Sequence, residues 1–185
     1  KEASGKKPTV PSWTGEMLPR SFDLSMDIAR FRREMTERLS QDDDTLIDWL
    51  IRDLDIDEGS ARSLISYFRE QLETAGMVPD DRRLLVEEYV DPSENHRLVF
   101  HFPFGRRVND ALSRAYAYRI SNTFGVNVSI TMNDDNFMVS SPRRLDMERL
   151  KGLLSSQDLD SVLRRAVRDS ELFRQRFRHT ATRSF

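Results

Sequence analysis

The sequence predicts an α+β fold: a helical N-terminal lobe, a four-stranded, mainly antiparallel β-β-α-β-β sheet unit, and a helical, basic C-terminal segment. Three observations predict it. Apolar residues recur at helical spacing from Phe22 to Leu72. Beyond Pro79 the pattern switches to short runs of branched and aromatic residues separated by turn clusters. From Pro142 helical spacing returns, now crowded with arginine.

Residues 1–20 carry Pro8, Pro11, Pro19 and two glycines and are expected to be extended, with Trp13 in their middle. Residues 21–78 form the helical lobe. Phe22, Met26, Ala29, Phe31, Met35 and Leu39 share one helix face, and Ser21 or Asp23 is placed to cap it. Asp42, Asp43 and Asp44 open a second helix over Leu46 to Leu54, because carboxylates favour a helix N-terminus. Asp57 and Ser60 open a third, which Gly76 ends.

Residues 79–141 form the sheet unit. Leu84 to Val90 and Arg97 to Phe102 read as a hairpin about the turn Asp91 to Asn95. Val108 to Phe124 is helical and closed by Gly125. Val126 to Met132 and Phe137 to Ser140 make a second hairpin about Asn133 to Asn136, where Asp134 and Asp135 are turn residues. Residues 142–185 are the basic segment, with helical candidates over Leu145 to Leu154, Leu159 to Val167 and Glu171 to Arg183. The last sets Arg174, Arg176, Arg178 and Arg183 around Phe173 and Phe177.

With 185 residues the chain can bury a core without staples. It has no cysteine, which excludes a disulfide framework, a cysteine-held zinc and a thiol nucleophile, and fits a reducing, cytoplasmic home. No apolar run approaches a membrane span. The charges nearly balance, 29 Lys+Arg against 31 Asp+Glu, yet lysine stands only at Lys1, Lys6, Lys7 and Lys151. Nearly all the fixed positive charge is therefore guanidinium, which grips phosphate in a bidentate way and stacks on bases; lineage or temperature preference explains the same bias. The start at Lys1 rather than Met, with a polar run to Lys7, reads as a piece of a longer polypeptide.

No Gly-Lys-Ser or Gly-Lys-Thr loop that would cradle ATP is present, nor the glycine spacing of a Rossmann site, so no cofactor is expected in this chain. His96, His101 and His179 lack carboxylates at metal-site or triad spacing. The segment that stands out is His101-Phe102-Pro103-Phe104-Gly105-Arg106-Arg107-Val108-Asn109, where a strand turns through proline and glycine into a helix that opens with two arginines. Backbone N–H groups and guanidiniums converging there would hold a phosphate. Alternatively the arginines pair with Glu87 or Glu88 on the neighbouring strand. Trp13 likewise has two readings, a stacking platform for an unpaired base or a plug in a core.

Trp13-Thr14-Gly15-Glu16, the following Arg20-Ser21-Phe22-Asp23-Leu24, the segment from His101 to Asn109, and the closing run from Leu172 to Arg183 together resemble the DEAD/H-associated region of Lhr-type helicases, the large helicase-related superfamily 2 proteins. The resemblance spans nearly the whole chain. It implies a parent in which two RecA-like motor domains and a winged-helix domain precede this region. ATP and Mg would drive 3′ to 5′ translocation on single-stranded DNA there, with unwinding of RNA:DNA or DNA:DNA duplexes in repair or recombination. It also implies that Trp13 contacts the tracking strand. Arg106 and Arg107 match the motif, holding either phosphates or the fold. The β-rich segment expected before Trp13 is absent, and the chain ends inside the last motif.

The expected function is thus an accessory domain that guides single-stranded DNA or an RNA:DNA hybrid, without catalysis of its own. Trp13, Arg106, Arg107, Arg174 and Arg178 are the candidate contacts. One rival is a module that braces the motor without touching DNA; arginines dispersed in ion pairs would favour it, and a clustered basic face would oppose it. The other is a hydrolase or nuclease, which needs carboxylates converging on His101.

Overall fold

The computed structural model describes residues 18–168, together with 173, 177, 178 and 180–182. The architecture is a helical lobe joined to an antiparallel four-stranded sheet with helices on one face. Three helices open it: α1 (Phe22–Arg38), α2 (Asp43–Leu54) and α3 (Glu58–Ala75). Each starts at an extended residue whose side chain accepts from the first turn. Ser21 caps α1 through Leu24 N–H at 3.2 Å. Asp42 and Asp57 cap α2 and α3 through Thr45 N–H at 2.9 Å and Ser60 N–H at 3.0 Å. Both carboxyls are held below their usual range, Asp42 mainly by the Thr45 amide and Asp57 mainly by the Ser60 hydroxyl.

The three helices close on one core in which Met35, Leu46 and Leu50 are fully buried. Phe31 of α1 stacks on Trp49 of α2 at 6.0 Å and meets Phe68 of α3 edge-on at 6.1 Å, so a single ring ties the lobe together.

The chain leaves the lobe through a turn built on Asp80. This carboxylate is fully buried and accepts Arg82 N–H and Arg83 N–H at 2.8 Å each, while the Arg83 guanidinium reaches it at 2.8 and 3.0 Å. Burial by itself pushes the Asp80 carboxyl up, but the amide and guanidinium donors outweigh it and the net shift is downward. A depressed carboxyl stabilises the fold fully above its unfolded pKa of about 3.9, and that contribution is lost as pH falls through the lower folded value. Asp80→Ala is therefore expected to cost about 1–3 kcal/mol at neutral pH. In urea titrations at pH 7 and near pH 3, the variant should also show a smaller loss between the two than the native chain does. Equal losses would mean that Asp80 does not contribute to the acid sensitivity.

The sheet is made of β1 (Leu85–Val90), β2 (His96–His101), β3 (Ser129–Met132) and β4 (Phe137–Ser141), in the order β1-β2-β4-β3, with α4 (Arg106–Phe124) crossing from β2 to β3. All neighbours are antiparallel. The register pairs Phe100 with Phe137 and Leu98 with Val139, and all four side chains are buried on the α4 face. Phe100 and Phe137 stack at 4.6 Å, and Tyr116 of α4 closes over Phe100 at 4.8 Å. The opposite face presents Tyr89, Arg97, Val99, Met138 and Thr131. A short α5 (Met147–Lys151) and α6 (Leu159–Arg168) follow; α6 packs along α4, burying Val162, with an Arg119–Asp158 ion pair between α4 and the start of α6.

Several element ends differ from the sequence reading. β3 begins at Ser129 rather than Val126 because its partner β4 stops at Ser141, before Pro142, which has no N–H to donate. α5 is five residues rather than ten: Asp146 caps its start, Gly152 ends it, and Leu145 enters the sheet core instead of a helix. β2 starts at His96 and ends at His101. α4 starts two residues early, at Arg106, so both arginines of the motif lie in its first turn. The candidate helix over Glu171 to Arg183 lies partly outside the described residues; Phe173, Phe177, Arg178 and 180–182 are helical.

Candidate nucleic-acid interface

The motif from His101 to Asn109 sits where the lobe meets the sheet. Gly105 has φ +83° and ψ 154°, a backbone conformation essentially confined to glycine. A Cβ there would stand 3.0 Å from Arg20 O and 3.0 Å from Ser25 Oγ, so the missing side chain is what lets the start of α1 lie against this turn. Asn109, fully buried one turn into α4, donates through Nδ2 to Phe102 O at 2.9 Å, Asn133 O at 3.1 Å and Asp134 O at 3.2 Å. It thereby ties the motif to the β3–β4 turn.

That turn supplies more than reversal of the chain. One oxygen, Asp134 Oδ1, accepts both Arg20 N–H at 3.1 Å and Arg106 N–H at 3.0 Å, joining the entry of α1 to the start of α4. Asp135 Oδ1 receives Arg20 at 2.6 Å and Arg32 at 3.1 Å. The two aspartates are thus the clamp between lobe and sheet as well as turn residues. Sequence reasoning missed this because the partners are more than a hundred residues apart, and no local spacing announces such a pair. The clamp also changes the picture of the α4 N-terminus: an amide that a phosphate would have used is already satisfied by Asp134.

Arg106 and Arg107 project from this junction. Both are exposed, and neither side chain pairs with a described residue. The expected alternative, pairing with Glu87 or Glu88, is overturned: Glu87 takes His101 at 2.8 Å, and Glu88 takes Arg144 at 3.2 Å. Most other described arginines do find carboxylates, among them Arg33 with Asp81, Arg69 with Asp43 and Arg97 with Asp91. Two cations in the first turn of a helix, with no acid in that turn, also stand at the positive end of the helix dipole, where they oppose stability. The Asp134 carboxylate already satisfies the first amide of α4; a further anion beside the guanidiniums would relieve their mutual repulsion.

Of the other candidates, Trp13 and Arg174 lie outside the described residues. Arg178 is exposed in the helical stretch after α6. His101, at the end of β2, meets a single carboxylate, and no group of His, Asp or Glu among the described residues could hold a metal ion. Among the described residues, carboxylates do not converge on His101 as the hydrolase reading requires. No helix among the described residues is long and apolar enough to cross a membrane.

The model of the family described as DEAD/H associated matches residues 78–185, more than half of the chain. The chain belongs to the DEAD/H associated family. It is 43% identical over 97% of its length to the ATP-dependent helicase Lhr-Core protein 2 of Thermococcus barophilus, and 41% identical over 98% to the ATP-dependent helicase Lhr-Core of Methanothermobacter thermautotrophicus. It spans only 20% and 21% of those two proteins. It is also similar to the Lhr helicase/uracil glycosylase of Escherichia coli, 28% identical over 98% of this chain and 12% of that one. Among solved structures, the Mycobacterium smegmatis helicase Lhr bound to ssDNA and AMP-PNP superposes with a TM-score of 0.75 at 26% identity, over 98% of this chain and 23% of that one. The DEAD/H associated domain described here is thus a domain of the kind found in Lhr helicases, and its lobe-plus-sheet fold is shared with that structure.

Proposed function

We propose that this DEAD/H associated domain guides single-stranded nucleic acid for an Lhr-type helicase and performs no catalysis of its own. The observation that carries the proposal is the pair Arg106 and Arg107, exposed and without carboxylate partners among the described residues, at the positive end of α4. The solved relative is a helicase bound to ssDNA, which supports the same reading. The guanidiniums would hold successive backbone phosphates. Trp13, by its resemblance to the family motif, would stack on a base of the tracking strand, and Arg174 and Arg178 would extend the basic path. ATP and Mg belong to this proposal only through the motor of the parent: the chain has no Gly-Lys-Ser or Gly-Lys-Thr loop to hold a nucleotide. Translocation 3′ to 5′, action on RNA:DNA hybrids, and a role in repair or recombination are parts of the same proposal.

The test is fluorescence anisotropy of a labelled oligo(dT) titrated with this chain between about 50 mM and about 200 mM salt, where counterion release governs phosphate contacts. Binding whose logarithm falls linearly with log salt, by about 0.7 per phosphate held, is the expected outcome. Absence of binding at the lowest salt, from a chain that circular dichroism shows to be folded, would instead favour a bracing module. That second reading draws on the sheet face opposite α4, where Tyr89 is about half exposed and Val99 and Met138 lie beside it. Such a face suits a neighbouring domain.

A further inference from the structure

We infer that Phe22 is a base-stacking platform that works with Arg106 and Arg107 to hold one stretch of single-stranded DNA; this rests on the nucleic-acid reading proposed above. Phe22 is the first residue of α1, yet the residue is 51% exposed. Burying an aromatic ring is a main source of stability, and Phe22 leaves half of its surface in water at a junction that also carries two cations.

The ring is exposed but not loose. Behind it stands Phe104 at 6.5 Å, then Phe102 at 5.8 Å, and Phe102 is locked edge-on against Phe137 at 5.4 Å in the sheet core. The backbone carrying it is fixed as well: Ser21 caps α1, Arg20 N–H is bound by Asp134, and Gly105 lets the two segments touch. The oxygen that holds Arg20 also holds the Arg106 amide, so a backed aromatic face and two guanidiniums that pair with no carboxylate among the described residues are assembled at one junction. Single-strand binding needs that combination, cations for the backbone and a π-face that accepts any base, pre-organised so that little ordering is lost on binding. Leu18 and Leu24, on either side of Phe22 in the chain, are exposed as well; a docking protein helix would use such apolar surface but would not call for the two cations.

The experiment compares oligo(dT) binding by the native chain, Phe22→Leu, Phe22→Trp and the Arg106→Ala/Arg107→Ala double variant, each checked for an unchanged melting curve. Leucine keeps apolar packing against Phe104 but has no π-face. Phe22→Leu is expected to weaken binding about tenfold with the salt slope unaltered, and Phe22→Trp to bind at least as tightly as the native chain. If Phe22→Leu binds like the native chain while the double arginine variant loses affinity, Phe22 is not a platform and the phosphate-binding reading stands alone. If the folded native chain does not bind at low salt, the guiding role fails, and the platform with it.

Discussion

Replacing Arg106 and Arg107 together by alanine is expected to weaken oligo(dT) binding about 10- to 30-fold near 0.1 M salt, and to flatten the salt dependence by about 1.4 in log–log slope. Two phosphate contacts on a single strand account for that change in slope. The same substitution should not lower the melting temperature. Neither guanidinium pairs with a described carboxylate, and both stand at the positive end of α4, so their removal takes away repulsion and leaves alanine, a good helix former. Affinity and stability thus separate. If the arginines served the fold, as the paired reading held, the double variant would lose stability together with any binding. A steady or raised melting temperature with lost affinity and a flatter slope supports phosphate contacts; a lowered melting temperature with the slope intact would end that reading.

Gly105→Ala is the substitution with the largest expected effect on stability, a loss of roughly 3–5 kcal/mol. Two costs add. The φ of +83° with extended ψ is a region that side chains rarely enter, and the new Cβ would meet Arg20 O and Ser25 Oγ at 3.0 Å. Arg20 O belongs to the backbone held by the Asp134 clamp, so it cannot step aside without disturbing the junction. Gly125→Ala is the control. Its φ of +64° closes α4 in the left-handed region, but nothing lies within 4 Å of a Cβ there, so only the conformational cost applies, about 1–2 kcal/mol. Urea titrations should show a lower midpoint with unchanged slope for both, and a clearly larger loss at Gly105. Equal losses would show that the close approach of α1 to the turn is not tight in solution. A folded Gly105→Ala protein should also bind oligo(dT) more weakly, because Phe22 and Arg106 are held together through this contact.

The pairs within a few residues of one another were legible before any coordinates. Ser21, Asp42 and Asp57 cap their helices because a short polar side chain three residues before an amide can reach it whatever the rest of the chain does. The strands Arg97 to Phe102 and Phe137 to Ser140 were read from their branched and aromatic runs, and the register then sets Leu98, Phe100, Phe137 and Val139 on one face because the strand period is two. The segment from His101 to Asn109 was marked as the place of interest by its glycine and paired arginines.

The sequence by local geometry alone carried the α+β class, the caps of α1, α2 and α3, and the two hairpins, while the starts of α4 and α5 moved. Only the tertiary structure decided which charges are spent. Glu87 and Glu88 were nearer in sequence to Arg106 and Arg107 than most carboxylates, yet the sheet register gives them to His101 and Arg144. Asp134 and Asp135, read as turn residues, face Arg20 and Arg32 across the lobe boundary. Whether a guanidinium is satisfied inside the fold or left for a phosphate depends on which side chains lie within about 4 Å of it, and that proximity is created when distant segments pack.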